Sequence, residues 1–230
     1  MRIGILILAT TVLSISVGKA QERDSLRYRR SSIAFVPQYL AQQAIRIDWE
    51  KPITKGQHVH RLTLSPYWYA GTTDRYTSEG IPFSGTSPQE YGETQVSGFG
   101  LEVLDKYVLH YSTKELSNFY LAFGVGYHRI GLDYLNFEPV PFEEDGATLF
   151  RYDFVEQEEA IDRLEIIGLF GAKVFFRGDV LFLDLFVGPV FKQSWVSTES
   201  VSPLTHENSN DHGYDGVTFR LGAGLGVVIF

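Results

Sequence analysis

The 230-residue chain contains no cysteine. That absence excludes disulfides, thiolate metal sites, a cysteine nucleophile and a lipoprotein anchor, which needs a cysteine at its cleavage point. Long apolar runs are nearly as scarce. One stands at the start, "MRIGILILATTVLSISVGKA", and no later segment approaches the roughly 20 apolar residues of a membrane helix. Basic residues are outnumbered, with Lys and Arg at 20 against 28 Asp and Glu, a net of −8. Such an acidic balance speaks against nucleic acid as a partner.

The first segment reads as a secretory signal peptide over 1–20. Arg2 forms a short basic start, the apolar run goes from Ile3 to Val17, and Gly18-Lys19-Ala20 puts small residues at the minus-three and minus-one positions of a cut after Ala20. The run is too short for a membrane anchor. Losing Arg2 and Lys19 leaves 18 basic residues against 28 acidic ones, a mature charge of about −10. Residues 21–30, "QERDSLRYRR", form a charged leader.

What the chain has in quantity is aromatic: 13 Tyr and 17 Phe, a bias towards strand. Period-two runs recur between turn-rich stretches. In "AIRIDWE", Ile45, Ile47 and Trp49 oppose Arg46, Asp48 and Glu50. In "HRLTLSPYWYA", Leu62, Leu64 and Trp68 oppose Arg61, Thr63, Ser65, Tyr67 and Tyr69. Phe99, Leu101 and Val103 then oppose Gly98, Gly100 and Glu102, and Phe119 to Tyr127 oppose Tyr120, Ala122, Gly124, Gly126 and His128. "RLEIIGLFGAKVFF" carries Glu165, Gly171 and Lys173 on its odd face, and in "VLFLDLFVGPVFKQSW" Leu181 to Phe191 oppose Asp184, Gly188 and Lys192. The last run, "VTFRLGAGLGVVIF", has an unbroken apolar odd face from Val217 to Ile229 opposite Thr218, Arg220 and three glycines.

Short connections at 52–57, 112–117 and 177–179 alternate with long ones at 72–92, 136–160 and 197–214. Short turns at one end and long loops at the other are the pattern of a transmembrane β-barrel, and only helices and closed barrels satisfy every backbone polar group in lipid. Seven runs require an eighth, because bacterial single-chain barrels have even strand numbers. "SSIAFVPQYL", 31–40, is the one segment able to supply it, although Pro37 weakens a strand interior.

The direction of the faces decides between a soluble barrel and a membrane one. The polar faces bring opposite charges to one side: Arg46, Asp48, Glu50, Arg61, Glu102, Glu165, Lys173, Asp184, Lys192 and Arg220. Glycines on those faces leave room for long side chains. The other faces are belts of Leu, Phe and Val, with Trp49, Trp68, Tyr107 and Trp195 near strand ends, as lipid-facing girdles require. The expectation is therefore an all-β, eight-stranded antiparallel up-and-down transmembrane barrel over 31–230. Its periplasmic turns are short, its extracellular loops long, and its lumen filled by paired charges, since about eight strands leave an interior just wide enough for side chains.

The final strand resembles the C-terminal signal read by outer-membrane assembly machinery, with Phe230 as its terminal aromatic and Gly224 and Gly226 before it, one residue out of the common spacing. "AIRIDWEKP", "HRLTLSPYWYAG" and "SGFGLEVLDKY" resemble, in order and spacing, the opening strands of the small outer-membrane β-barrel proteins of Bacteroidota. That resemblance implies a fold and an outer-membrane location but no reaction. Its implied partners are outer-membrane lipid and lipopolysaccharide, and the assembly machinery during biogenesis, for a monomer without cofactor.

Four groupings carry possible chemistry. His110 and Ser112 with Glu115 are the residue types of a serine hydrolase, similar to those of barrel enzymes that deacylate lipid A, but they fall at a short turn. His206, Glu207, Asp211, His212 and Asp215 are zinc-ligand types in the third loop. The acids of 136–160 are ligand types for divalent cations, and also an ordinary solvated charge run. Arg177-Gly178-Asp179 copies an adhesion tripeptide in a hairpin turn, and His58 and His60 flank another turn. The expected role is structural or surface recognition through the long loops. A narrow pore or carrier is the second reading, a lipid-modifying enzyme the third, and no catalytic or metal residue is assigned.

Overall fold

The structure, a computed structural model, describes residues 30–55, 58–73, 94–111, 117–176, 180–198, 204 and 206–229. The expected signal peptide, nearly all of the expected leader, most of the 72–92 segment, Ser112, Glu115, the 177–179 tripeptide and Phe230 lie outside them, as do the side chains of His58 and His110.

Eight antiparallel strands run in sequence order: β1 Ser31–Phe35, β2 Ala44–Lys55, β3 His58–Thr73, β4 Thr94–Tyr111, β5 Ser117–Glu144, β6 Ala147–Phe176, β7 Leu181–Thr198 and β8 Gly216–Ile229. Each pairs with its neighbours in the chain, and β8 returns to β1 through Ile33↔Val227 and Phe35↔Leu225, closing the sheet. Closure removes sheet edges wherever both neighbours are present. Two ladders break where a proline removes the backbone N–H. The β2–β3 register passes from Arg46↔Tyr67 to Trp49↔Leu64 around Pro66, and the β6–β7 register passes from Ile167↔Val190 to Phe170↔Val187 around Pro189.

The first expected strand is corrected at its upper end. β1 stops at Phe35, and Pro37–Gln42 form a 3-10 turn with Pro37 in its first turn and Gln43 in the left-handed region at its end. Proline suits a helix start, where its missing N–H has no partner to lose. The turn is pinned by Val36 N–H donating to Arg46 O and Ala70 N–H donating to Gln43 O.

The 136–160 segment is corrected from a loop to strand. β5 and β6 continue past their neighbours as a two-stranded ribbon, paired from Tyr134↔Gln157 to Glu144↔Ala147. Asp145 and Gly146 turn it with φ of 52° and 79°, the left-handed pair of a tight hairpin turn. At about 3.4 Å per residue the ribbon extends about 37 Å beyond the ring. We call this the hairpin end and the opposite one the turn end.

The faces sort cleanly. Among the described residues, 34 large hydrophobic side chains are exposed, among them Trp49, Trp68, Phe123, Ile166, Phe191, Trp195 and Leu221. The inside of the ring holds Arg46, Asp48, Glu50, Glu102, Lys106, Arg163, Glu165, Lys173 and Asp184, all buried. The interior is crowded enough that a Cβ on Gly171 would strike the Tyr120 ring, and one on Gly100 the His128 ring.

Candidate functional site

The inward side chains gather in two layers. Towards the turn end, Glu50 is the hub. Its carboxylate accepts Arg61 Nε at 3.0 Å, Lys106 Nζ at 2.5 Å and Lys173 Nζ at 2.5 Å, with Ser32 Oγ at 3.3 Å. Lys106 also donates to Asp184 at 2.8 Å, and Asp184 accepts the Tyr120 hydroxyl at 2.6 Å. Three cations thus share two carboxylates.

Towards the hairpin end, Arg46 is the hub. It donates through Nε and Nη2 to Asp48 at 2.6 and 3.2 Å, and through Nη1 to the hydroxyls of Tyr67 at 2.6 Å and Tyr39 at 3.0 Å. Glu102 takes Tyr67 OH at 2.5 Å on one oxygen, and Arg46 and Arg220 at 3.2 and 2.9 Å on the other. Glu165 accepts Arg220 Nη2 at 2.6 Å and forms an ion pair with Arg163 Nε at 3.0 Å, outside hydrogen-bond geometry. Buried charges this well matched stay ionised, because each carboxylate gains donors in place of water.

Glu102, His128 and Glu165 place three potential ligand atoms within 4.8 Å of one another. Their hydrogen bonding argues against a metal. Tyr69 OH accepts Arg163 Nη2 at 3.2 Å and lies 2.8 Å from His128 Nδ1, so that ring nitrogen is already engaged within the protein. Nε2 points between Glu102 at 3.6 Å and Glu165 at 3.8 Å, beyond hydrogen-bond reach. Arg46, Arg163 and Arg220 already balance Asp48, Glu102 and Glu165, so a divalent cation there would add two uncompensated positive charges.

All ten charges that parity assigns to one face lie inside the ring or at its upper rim. Arg46, Asp48, Glu50, Arg61, Glu102, Glu165, Lys173 and Asp184 are buried, while Arg220 and Lys192 are partly so. Gly224 sits in the lower part of β8 facing Asp184, and Gly226 packs beneath the Phe182 ring and the Ile33 carbonyl. The layers also contain residues the charge pattern did not name: Lys106, Arg163, Tyr39 and Tyr120. Lys106 shares the parity of Glu102, and Arg163 that of Glu165, so the signal was present. Tyr39 comes from the 3-10 turn, where strand parity has no meaning.

Part of the third long segment folds over the hairpin-end mouth. Leu204, Asp211 and His212 are buried, His212 O accepts Arg163 Nη1 at 3.1 Å, and His206 pairs with Glu159. Asp211 accepts Asn208 N–H and Asp215 accepts Gln193 Nε2. The zinc-type residues of this loop therefore hold the loop to the ring and each other to the loop, and do not converge. Exposed Glu143, Glu144, Asp145, Asp153, Glu156 and Glu158 are spread along the ribbon beside exposed Phe150, Tyr152 and Phe154. His60 contacts Asp105 at 3.2 Å on the outer face near the turn end. His110 lies in β4 at the turn end, after a bulge at Val108–His110.

No protein-family model, curated protein or solved structure matches the chain.

Proposed function

We propose that the chain is an integral outer-membrane β-barrel, sealed by its own ion pairs, that carries a recognition arm on the cell surface. The observation behind this reading is the inversion of burial: charges inside, Leu, Phe, Val and Trp outside. Soluble monomers rarely expose a contiguous apolar patch beyond about 300–600 Å², whereas this belt surrounds the ring. In water such a surface would drive association. In lipid it is matched, and closure pairs the backbone wherever a strand has both neighbours.

The hairpin end then faces outwards, as the longer connections of such barrels do, and the recognition element is the β5–β6 ribbon. It offers acidic side chains and an aromatic row in one rigid arm, a pairing suited to a partner with basic and apolar groups. Two layers of ion pairs cross the lumen, which favours the sealed barrel over the pore. The hydrolase reading draws no support from His110, since its lipid-side chemistry would have to occur at the turn end.

The test is gel mobility of protein from an outer-membrane fraction, unheated against boiled in SDS. A closed membrane barrel resists cold detergent and shifts on boiling. Recovery in the soluble fraction with no shift would turn the faces inside out and end this reading.

A further inference from the structure

Above Phe35 the ring is one strand short. β8 pairs with β1 over Leu225–Ile229 but with β7 over Gly216–Val227, so its upper half has a strand on one side only. The 3-10 turn Pro37–Gln42 stands on the other side, and the link between them is Ala223 N–H donating to Gln38 Oε1 at 3.3 Å. Behind this seam lies a cavity of about 270 Å³. It is lined by Thr218 and Arg220 from the inner face of β8 and by Phe219 and Leu221 from its outer face. Gln38 of the turn and Thr218–Leu221 of β8 line it from the two sides of the seam, so the cavity lies at this lateral gap in the ring, at the level of the apolar belt. Phe219 and Leu221, at 78% and 77% exposure, are the most exposed large hydrophobic side chains among the described residues.

The wall chemistry says what the cavity takes. Arg163, Arg220 and Lys192 line it against Glu102 and Glu165, an excess of one positive charge. Lys192 Nζ donates to Ser209 O at 3.0 Å, and the carboxylates of Glu165 and Asp211 act on it without a direct ion pair among the described residues. Three buried nitrogens of lining residues, Gln38 Nε2, His128 Nε2 and Arg163 Nε, have no hydrogen-bond partner, the last meeting Glu165 as an ion pair alone. The site is thus short of acceptor oxygen and of one negative charge. Its volume equals about nine waters at about 30 Å³ each, enough for a head group and too little for a whole lipid.

We propose that this cavity binds the anionic head group of an amphiphile, a phosphate or carboxylate, whose alkyl chain leaves through the β8 seam and lies on Phe219 and Leu221. The proposal rests on the membrane-spanning reading. An anion would complete the charge at Lys192 and accept from Gln38 Nε2 and Arg163 Nε. The chain would stay in the surroundings that lipid tails already occupy, so the head group enters from the side without crossing the ion-pair layers.

The experiment uses the full chain in non-ionic detergent, first checked for the heat-dependent mobility shift and then examined by native mass spectrometry with four probes: dodecyl phosphate, dodecanoate, dodecanol and inorganic phosphate. The expected result is one retained dodecyl phosphate or dodecanoate per chain and no retained dodecanol. Lys192→Gln should weaken retention at least about tenfold, the effect of losing one charge-assisted contact, and Lys192→Arg should restore it. Thr218→Glu, which adds a negative charge to the lining, should abolish retention, and the mobility shift shows that each variant is folded. Equal retention of dodecanol, equal retention by Lys192→Gln and Thr218→Glu, or inorganic phosphate binding as tightly as dodecyl phosphate would overturn the proposal, the last by making the ligand a soluble anion. A shifting protein that retains no amphiphile defeats this inference alone. A protein that shows no shift defeats the membrane reading and this inference with it.

Discussion

Glu50 holds Arg61, Lys106 and Lys173 together, and the charge count of that layer sets what each substitution does. Removing the carboxylate leaves three buried cations facing Asp184 alone. Glu50→Gln should lower unfolding free energy by about 3–5 kcal/mol, the cost of orphaning buried charge. Lys173→Met removes the excess cation, keeps an apolar stem against the Phe182 ring, and should cost below about 1 kcal/mol. Urea titration in detergent, read by tryptophan fluorescence, separates the two; equal losses would mean the layer does not work as a shared-charge unit. Close packing gives a second residue-scale test. Gly171→Ala should cost about 1–3 kcal/mol through overpacking against Tyr120, and less in a Tyr120→Leu background, a coupling that a double-mutant cycle measures. Most of these residues were legible by parity, because a strand's alternation holds whatever the neighbours do. Lys106 was missed within a run of mixed polarity, "VLDKYVLH", and Arg163 at the start of a strand with apolar residues on both faces.

At the scale of elements, the ribbon beyond Tyr134↔Gln157 pairs with nothing but itself. Replacing 138–153 by Asn-Gly, which joins the registered pair Phe137↔Phe154, should leave the denaturation midpoint and the heat-dependent gel shift unchanged while removing the surface arm. Loss of the unheated folded band would show that the arm contributes to closure of the ring. The ribbon was not legible as strand because neither face is buried, so selection for alternation is absent and acids and prolines such as Pro139 and Pro141 enter freely. Its one local signal was Asp145-Gly146, the turn pair of a hairpin. The short β1 had the reverse cause. Ile33 and Phe35 alternate correctly, but Pro37 redirects the chain into a 3-10 turn whose Tyr39 then reaches Arg46 and whose Gln38 caps β8.

For the molecule as a whole, two layers of ion pairs cross the lumen, and planar-bilayer recordings should show no conductance steps. Steps that persisted would mean the layers part in the membrane. The fold class followed from counting connections and from strand parity. The direction of the faces followed from placing charge and glycine on one side and Leu, Phe, Val and Trp on the other. The mouth segment around Leu204 and His212 had no such guide, since its contacts with Glu159 and Arg163 join residues far apart in sequence.

The outward belt is the claim on which the rest depends, and its tryptophans report on it directly. Trp49, Trp68 and Trp195 are the protein's three tryptophans, and all lie exposed on the outer face. Their fluorescence should be measured in vesicles containing lipids brominated along the acyl chains, with aqueous iodide as the opposing quencher. The account predicts strong quenching by the brominated chains and little by iodide. Quenching by iodide with no response to the brominated lipid would show that water, not lipid, meets the apolar belt.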